Sequence, residues 1–356
     1  MDKIGFGLIG CGVISRTHAK AIAEVEAAEL VACCDIVEEK AKDWAEEFEI
    51  GDNYHRDLED MLGRDDIQAV CICTPSGIHS EQAIMAAEAG KHILCEKPLD
   101  VTLKKIDDMI AASERNDVKL AGVFQRRTYE STKRVRAAVR GGKLGKLVVG
   151  DCYQKYFRSH EYYASGDWRA TWELDGGGAL MNQGVHGIDL IVHLMGPVKR
   201  VSAMCRRLVR NIAVEDTAVA LLEYENGALG VLEGTTSVTP GFGCEVEISG
   251  DDGTVGLSGD KITQWDFPGS DEEEQEVDEE GDRGTASDPT ALTTTGHTEH
   301  VRDLCEAIVE DREPAIPGLE ARKAVEVIKA IYKSSREGGA PVDLPLSYVD
   351  DGPGID

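Results

Sequence analysis

The first 125 residues alternate apolar strand-like runs with amphipathic helical stretches, and that alternation admits few folds. The runs Ile4–Ile9, Leu30–Asp35, Ile67–Thr74, His92–Glu96 and Leu120–Gln125 are apolar almost throughout. A strand that is apolar on both faces needs cover on both, as in a parallel sheet sandwiched by helices. Apolar residues recur at helical spacing over Ser15–Val25, Glu38–Phe48, Ser80–Ala89 and Leu103–Arg115. Residues 1–125 therefore read as a doubly wound α/β domain.

After Gln125 the rhythm changes. A helix over Ser131–Arg140 ends at Gly141-Gly142, and strands dominate from there: Leu147–Phe157, Val201–Arg207, Thr217–Tyr224, Gly230–Thr236, Cys244–Ser249 and Gly253–Leu257. Turn signals such as Glu225-Asn226-Gly227 join them as hairpins. One long helix is expected over Gly178–Met195, and two more, His297–Glu310 and Glu320–Arg336, close the chain. Residues 126–356 read as an α+β substrate-binding and oligomerisation domain with a mostly antiparallel open sheet. Outward apolar residues such as Val219, Leu221, Val231, Val246 and Ile248 are expected to bring protomers together as a homodimer or homotetramer.

The segment Gly7–Ser15, GLIGCGVIS, ends the first strand and opens the first helix. Gly10 and Gly12 supply the tight turn and the close backbone approach that a pyrophosphate needs, while Val13 and Ile14 begin the helix whose N-terminus faces it. Ser15 stands where the third glycine of this pattern is usual, a small change. Asp35 ends the second strand twenty residues later, placed to accept both hydroxyls of an adenosine ribose and to repel a 2′-phosphate. This is a Rossmann pattern, and it favours NAD over NADP.

A net charge of −28 argues against nucleic acid and anionic membrane as partners. The acidity suits either general solubility or a high-salt habitat. Asp271–Asp282 carries nine carboxylates in twelve residues and is expected to be a mobile, solvated hairpin or loop rather than a cation site. Residues 124–146 run the other way, with eight Lys or Arg and one acid, Glu130; they read as an exposed helix or as a field steering an anionic substrate. No run is long and apolar enough for a membrane span. The N-terminus lacks a signal-peptide layout, so a cytoplasmic location is expected. The ten cysteines show no CxxC pair and no zinc-like spacing, and no metal is expected.

Cys73–His79 (CTPSGIH) and Lys91–Leu99 (KHILCEKPL) each end a parallel strand, where ligands of open α/β sheets bind. With GLIGCGVIS, with Asp167–Leu174 (DWRATWEL) and with Asp175–Asp189 (DGGGALMNQGVHGID), they resemble the glucose–fructose oxidoreductase / inositol dehydrogenase / rhizopine-catabolism (Gfo/Idh/MocA) family. The resemblance implies that Thr74, Pro75 and His79 line the ribose and nicotinamide side of NAD. It implies that Glu96 and Lys97 touch the nicotinamide ribose, with Lys97 also facing the reacting oxygen. Gln125 is then the residue where the last strand of the sheet reaches the site, and Trp168 and Arg169 reach the cofactor from the second domain. Arg127, Tyr156 and Arg158 are candidates for the substrate wall.

The family's commonest helix pattern is Asp, three residues, then His; here the pair is Asn182 and His186. An amide does not exchange protons near neutral pH, so the proton-transfer role stays with His186. Asn182, His186, Asp189 and His193 form one polar stripe on an α-helix, expected to face a cleft. The chemistry implied is hydride transfer between a secondary alcohol of a sugar or cyclitol and nicotinamide, with Lys97 and His186 catalytic and Asn182 holding substrate. Alternatives are a dehydrogenase of a nucleotide-activated amino sugar, a glycosidase using NAD transiently, and a non-catalytic sensor of dinucleotide or sugar.

Overall fold

The computed structural model describes residues 3–270 and 294–355. The acidic stretch Asp271–Asp282 lies outside them. The chain divides into two compact units, one of Met1–Gln125 with Leu292–Arg322 and one of Arg126–Ala291 with Lys323–Asp356.

The first unit holds a six-stranded parallel sheet. Its strands are β1 (Ile4–Ile9), β2 (Ala28–Cys34), β3 (Tyr54–His55), β4 (Ala69–Ile72), β5 (His92–Cys95) and β6 (Leu120–Gly122), in the order β3-β2-β1-β4-β5-β6. The order reverses between β1 and β4, and ligands of such sheets bind at that switch point. The connecting helices are α1 (Val13–Ala23), α2 (Glu38–Glu47), α3 (Leu58–Leu62), α4 (His79–Glu88) and α5 (Leu103–Arg115). Only the short β3 and α3 escape the sequence pattern, being too brief to show a period.

The second unit opens with α6 (Glu130–Arg140), β7 (Leu147–Lys155) and the short α7 (His160–Ala164). A π-helical turn over Ala179–Gly184 then leads directly into α8 (Val185–Met195). Strands β8 (Val198–Arg206), β9 (Thr217–Tyr224), β10 (Leu229–Thr235), β11 (Gly243–Gly250), β12 (Thr254–Ser258) and β13 (Lys261–Asp266) follow. With β14 (Val342–Asp343) they make an eight-stranded sheet ordered β13-β12-β11-β7-β10-β9-β8-β14. All its neighbours are antiparallel except β7 and β10. Side chains alternate: Ala218, Ala220 and Leu222 are buried while Val219 and Leu221 are exposed. Val246 and Ile248, expected outward with them, are buried instead. The period-2 rule holds within each strand, but the relative phase of β9 and β11 is set by pairing that the sequence does not display.

Residues 126–356 are not one continuous domain. Helix α9 (Thr295–Glu310) returns to the first unit, where Val301, Leu304 and Cys305 are buried in one cluster with Phe6, Leu8 and Ile22. Burying a Val or Leu side chain contributes roughly 1.5–3 kcal/mol, which fixes the helix there. The next segment runs beside β6, with Gly122 N–H donating to the Ile316 carbonyl at 2.9 Å. The chain crosses back within α10 (Gly318–Arg336). No helix among the described residues is long and apolar enough to cross a membrane.

Candidate active site

Where β1 ends, Gly10 turns the chain at φ +90°. Side chains disfavour that conformation, and a Cβ there would also stand 2.8 Å from Thr74 Cγ2. Gly12 is the N-cap of α1, whose first turn carries no acidic residue. Nothing lies within 4 Å of where a Gly12 Cβ would sit, so the backbone of this turn can be approached closely. Bare N–H groups beside open space suit a pyrophosphate. Val13 is exposed and Ile14 half-buried beside it. Ser15 is buried, donating from Oγ to the Gly12 carbonyl at 2.6 Å and accepting from Trp44 Nε1 at 2.9 Å. Asp35 Oδ2 accepts the Cys11 N–H at 3.0 Å and Oδ1 the Val37 N–H at 2.9 Å. The carboxylate is thus tied to the glycine turn, at the end of β2. These residues fit a dinucleotide.

Two loops follow β4 and β5. Thr74 Oγ1 donates to Gln82 Oε1 at 2.6 Å. The His79 ring is buried, with Nδ1 2.9 Å from the Pro98 carbonyl and Nε2 2.8 Å from the Thr74 carbonyl. His79 therefore clamps the two loops together, whereas Thr74 and Pro75 stay partly exposed. Glu96 is buried too: Oε1 lies 2.9 Å from His18 Nε2 and 3.3 Å from His297 Nε2, and Oε2 accepts the Lys97 N–H at 3.1 Å. The ribose contact expected of Glu96 meets a carboxylate already holding three protein partners. Lys97 is half-buried. Gln125, closing the strand region, packs against Gly296 of α9.

In the second unit the helix expected over Gly178–Met195 is two structures, not one. Gly177 and Gly178 leave no room for a Cβ beside Tyr332 and the Glu215 carbonyl, so the backbone passes tightly there. Glu215 then caps the turn: Oε2 accepts from Gly178 N–H and Oε1 from Leu180 N–H, each at 3.0 Å, and Tyr332 donates to Oε1 at 2.8 Å. Burial pushes its carboxyl up to about 7 despite those bonds. Asn182 lies on the π-helical turn and His186 on α8, both half-buried. The change of helix type between them breaks the single stripe expected of an α-helix.

Asp189, expected on that stripe facing a cleft, is buried and binds Arg127 through two hydrogen bonds, Nε to Oδ2 at 2.8 Å and Nη2 to Oδ1 at 2.6 Å. Arg127, a candidate for the substrate wall, thus spends two nitrogens on an internal ion pair. The other wall candidates gather around aromatic rings. The Arg158 guanidinium lies 5.6 Å from the Tyr156 ring and 5.5 Å from Tyr162; Arg169 lies 4.3 Å from Tyr162 and 4.4 Å from Trp168. Arg126 Nη2 approaches Tyr156 Oη at 3.5 Å, and Arg210 lies 5.2 Å from Phe157. A polar chain joins this cluster to the helix. Arg169 and Gln183 both donate to Tyr162 Oη, at 2.7 and 2.9 Å, Gln183 donates to Asn182 Oδ1 at 3.0 Å, and Asn182 donates to Asp175 Oδ1 at 2.7 Å.

Residues 4–124 match the family described as "Oxidoreductase family, NAD-binding Rossmann fold", and residues 132–256 the GFO/IDH/MocA C-terminal domain. The WlbA dehydrogenase from Bordetella pertussis, solved in complex with NADH and UDP-GlcNAcA, is 34% identical; the match covers 97% of this chain and 100% of that one, with a TM-score of 0.86. The chain belongs to the GFO/IDH/MocA family. The uncharacterized oxidoreductase YrbE of Bacillus subtilis is 30% identical over 73% of this chain and 75% of its own. Myo-inositol 2-dehydrogenase of Thermotoga maritima is 27% identical over 93% and 96%. This GFO/IDH/MocA protein is an oxidoreductase that uses NAD.

Four residues whose side chains hold partners in the fold, two in each unit, escaped the sequence reading. His18 and His297 lie far apart in sequence and read as ordinary helix residues. Glu215 sits at a strand start with no motif around it. Asp175 was visible only as the first residue of DGGGALMNQGVHGID. A glycine run followed by a buried-type helix lacking a Ser, Thr, Asp or Asn cap was the one signal that a distant carboxylate must serve it.

Proposed function

We propose that this protein oxidises a secondary carbinol of a nucleotide-linked sugar that carries negative charge, with UDP-GlcNAcA as the model substrate. One observation carries the reading: Arg158, Arg169 and Arg210 lie against the rings of Tyr156, Tyr162, Trp168 and Phe157, and Arg126 reaches the Tyr156 hydroxyl, in a chain of net charge −28. Guanidinium groups over aromatic faces suit phosphate and carboxylate recognition and serve a neutral cyclitol poorly. The WlbA likeness supports the same class.

The chemistry that NAD would supply when bound is acceptance of the carbinol hydride. Gly10, Gly12, Val13, Ile14 and Asp35 would hold its adenosine and pyrophosphate end, and Thr74, Pro75 and Lys97 its nicotinamide end. His186 takes the hydroxyl proton as general base, while the Lys97 ammonium steadies the developing alkoxide. Asn182 holds a sugar hydroxyl. We also infer a cytoplasmic homo-oligomer. Its ten cysteines are all free and buried, and the outer sheet face exposes Met204, Val219, Leu221 and Leu229.

The test is NADH formation from UDP-GlcNAcA, UDP-GlcNAc and myo-inositol in parallel, with denatured protein checked for co-purified cofactor. UDP-GlcNAcA is expected to exceed the other two in kcat/KM by at least tenfold. A higher kcat/KM for myo-inositol would replace this reading with that of a cyclitol dehydrogenase, which the inositol dehydrogenase likeness favours.

A further inference from the structure

The first unit contains a polar cluster that the proposed reaction does not use. His18 of α1, Glu96 after β5 and His297 of α9 each bring one side-chain donor atom within 4.8 Å of the others, and all three are buried. Both imidazoles address the same oxygen, Glu96 Oε1, and the two rings meet edge to face with centroids 5.0 Å apart. The other oxygen takes the Lys97 backbone N–H.

A cation held by two histidines and a carboxylate is one chemistry for such a trio. Metal-binding imidazoles, however, spend their second nitrogen on a carbonyl or carboxylate. Among the described residues neither His18 Nδ1 nor His297 Nδ1 has a hydrogen-bond partner. Neutral imidazoles with their proton on Nε2 account for the whole arrangement: each donates to Glu96, and each leaves a bare acceptor, which costs less buried than an orphaned N–H. Burial pushes the His18 ring further toward the neutral form. For Glu96, burial works against ionisation, and the bonds from His18 and His297 outweigh it, holding the carboxyl well below its usual range.

We propose that His18 and His297 are positioning residues for Lys97: they fix the buried Glu96 carboxylate, which in turn fixes the backbone carrying the lysine. This rests on the reading of Lys97 as catalytic. It gives the return of α9 to the first unit a purpose beyond cover, since α9 supplies one of the two donors. The other groups facing Glu96 are His300 on α9, Cys71 and Cys73 on and after β4, and Cys95 on its own strand. Each of these thiols is pushed up by burial and stays neutral.

The experiment compares His297→Leu, His297→Gln and Lys97→Ala in the full chain, using NAD and UDP-GlcNAcA. His297→Leu is expected to lower kcat roughly 10- to 100-fold, the usual cost of removing a partner that orients a functional group, with the KM for NAD within threefold. An acidic limb should enter its kcat profile as Glu96 loses a donor. His297→Gln, which keeps an N–H donor, should recover kcat to within about fivefold of the parent. Ring nitrogen resonances of labelled protein should report Nε2–H tautomers for both histidines. A folded His297→Leu with parental kcat and pH profile, beside an inactive Lys97→Ala, overturns the inference and leaves the lysine assignment standing. An active Lys97→Ala removes the assignment itself. If His297→Leu does not fold, His18→Gln against His18→Met is read the same way. Stoichiometric zinc whose removal abolishes activity overturns the inference in favour of a metal site.

Discussion

The Asn182 side-chain amide donates to Asp175 Oδ1 at 2.7 Å, and Asp175 Oδ2 accepts the Ala170 N–H at 2.8 Å. The site thus keeps a carboxylate beside the position where the family's commonest pattern has its own. Asn182→Asp would set two carboxylates at hydrogen-bond distance, and like charges so close cannot both ionise cheaply. The expected result is a fall in kcat/KM of at least tenfold at pH 7 and a lower melting temperature. Asp175→Asn added to that variant should restore much of both. Steady-state rates and melting curves on the three proteins check this, and a single variant equal to the parent refutes it.

Lys97→Ala and His186→Ala should each leave NAD affinity within a few-fold while lowering turnover by roughly 10²- to 10⁴-fold, the usual range for a lost acid or base. Asn182→Ala should act on the KM of the sugar instead, because an amide holds a hydroxyl without moving its proton. Calorimetric NAD titration beside initial rates separates these outcomes. Parental turnover by His186→Ala across the pH range would hand the base role to Lys97 or a water.

On the proposed reading the Asp35 carboxylate would meet the adenosine ribose, where NADP would carry its 2′-phosphate, and Ile36, the next residue, stands 84% exposed without charge to offer. NAD should bind at least tenfold tighter than NADP, a difference of about 1.4 kcal/mol. Asp35→Ser should narrow that ratio by weakening NAD binding and easing NADP binding. Equal affinities in the parent would remove Asp35 from this role.

The outer face of the eight-stranded sheet should carry the subunit contact. Leu221 is 62% exposed and Met204 54%. The parent is expected to be a dimer or tetramer by light scattering at micromolar concentration, and Leu221→Glu with Met204→Glu should shift it toward monomer. A monomeric parent refutes the proposal.

His300 Nε2 accepts the Phe124 N–H at 3.2 Å, which requires that nitrogen unprotonated. Burial lowers this histidine to about 3 from an ordinary 6.5. A depressed folded pKa means that the unfolded chain binds the proton first. The stability contributed by neutral His300 is therefore full above pH 6.5 and lost as pH falls toward 3. The slope approaches about 1.4 kcal/mol per pH unit from this group. His300→Gln keeps an acceptor for Phe124 and titrates nothing, so its melting temperature should fall less between pH 7 and 5. An unchanged slope counts against the assignment.

What the sequence by itself determined are the features written in local periodicity and local turns. Fully apolar strands alternating with amphipathic helices specify a covered parallel sheet, and Gly10, Gly12 and Asp35 stand at spacings that only a strand–turn–helix converts into a cradle. The alternation in Thr217–Tyr224 likewise shows a half-buried strand. What only the tertiary structure decided are relations between residues far apart in the chain. Nothing near His297 indicates that its helix returns to the first unit, because an amphipathic face specifies that it will be covered and not by what. The same holds for Glu215, whose carboxylate serves backbone N–H groups some 35 residues earlier. Arg127 and Asp189 read as solvent or cleft residues until the fold put them 2.6 Å apart. A buried charge is settled by its partner, and its partner is chosen by packing rather than by neighbours in sequence.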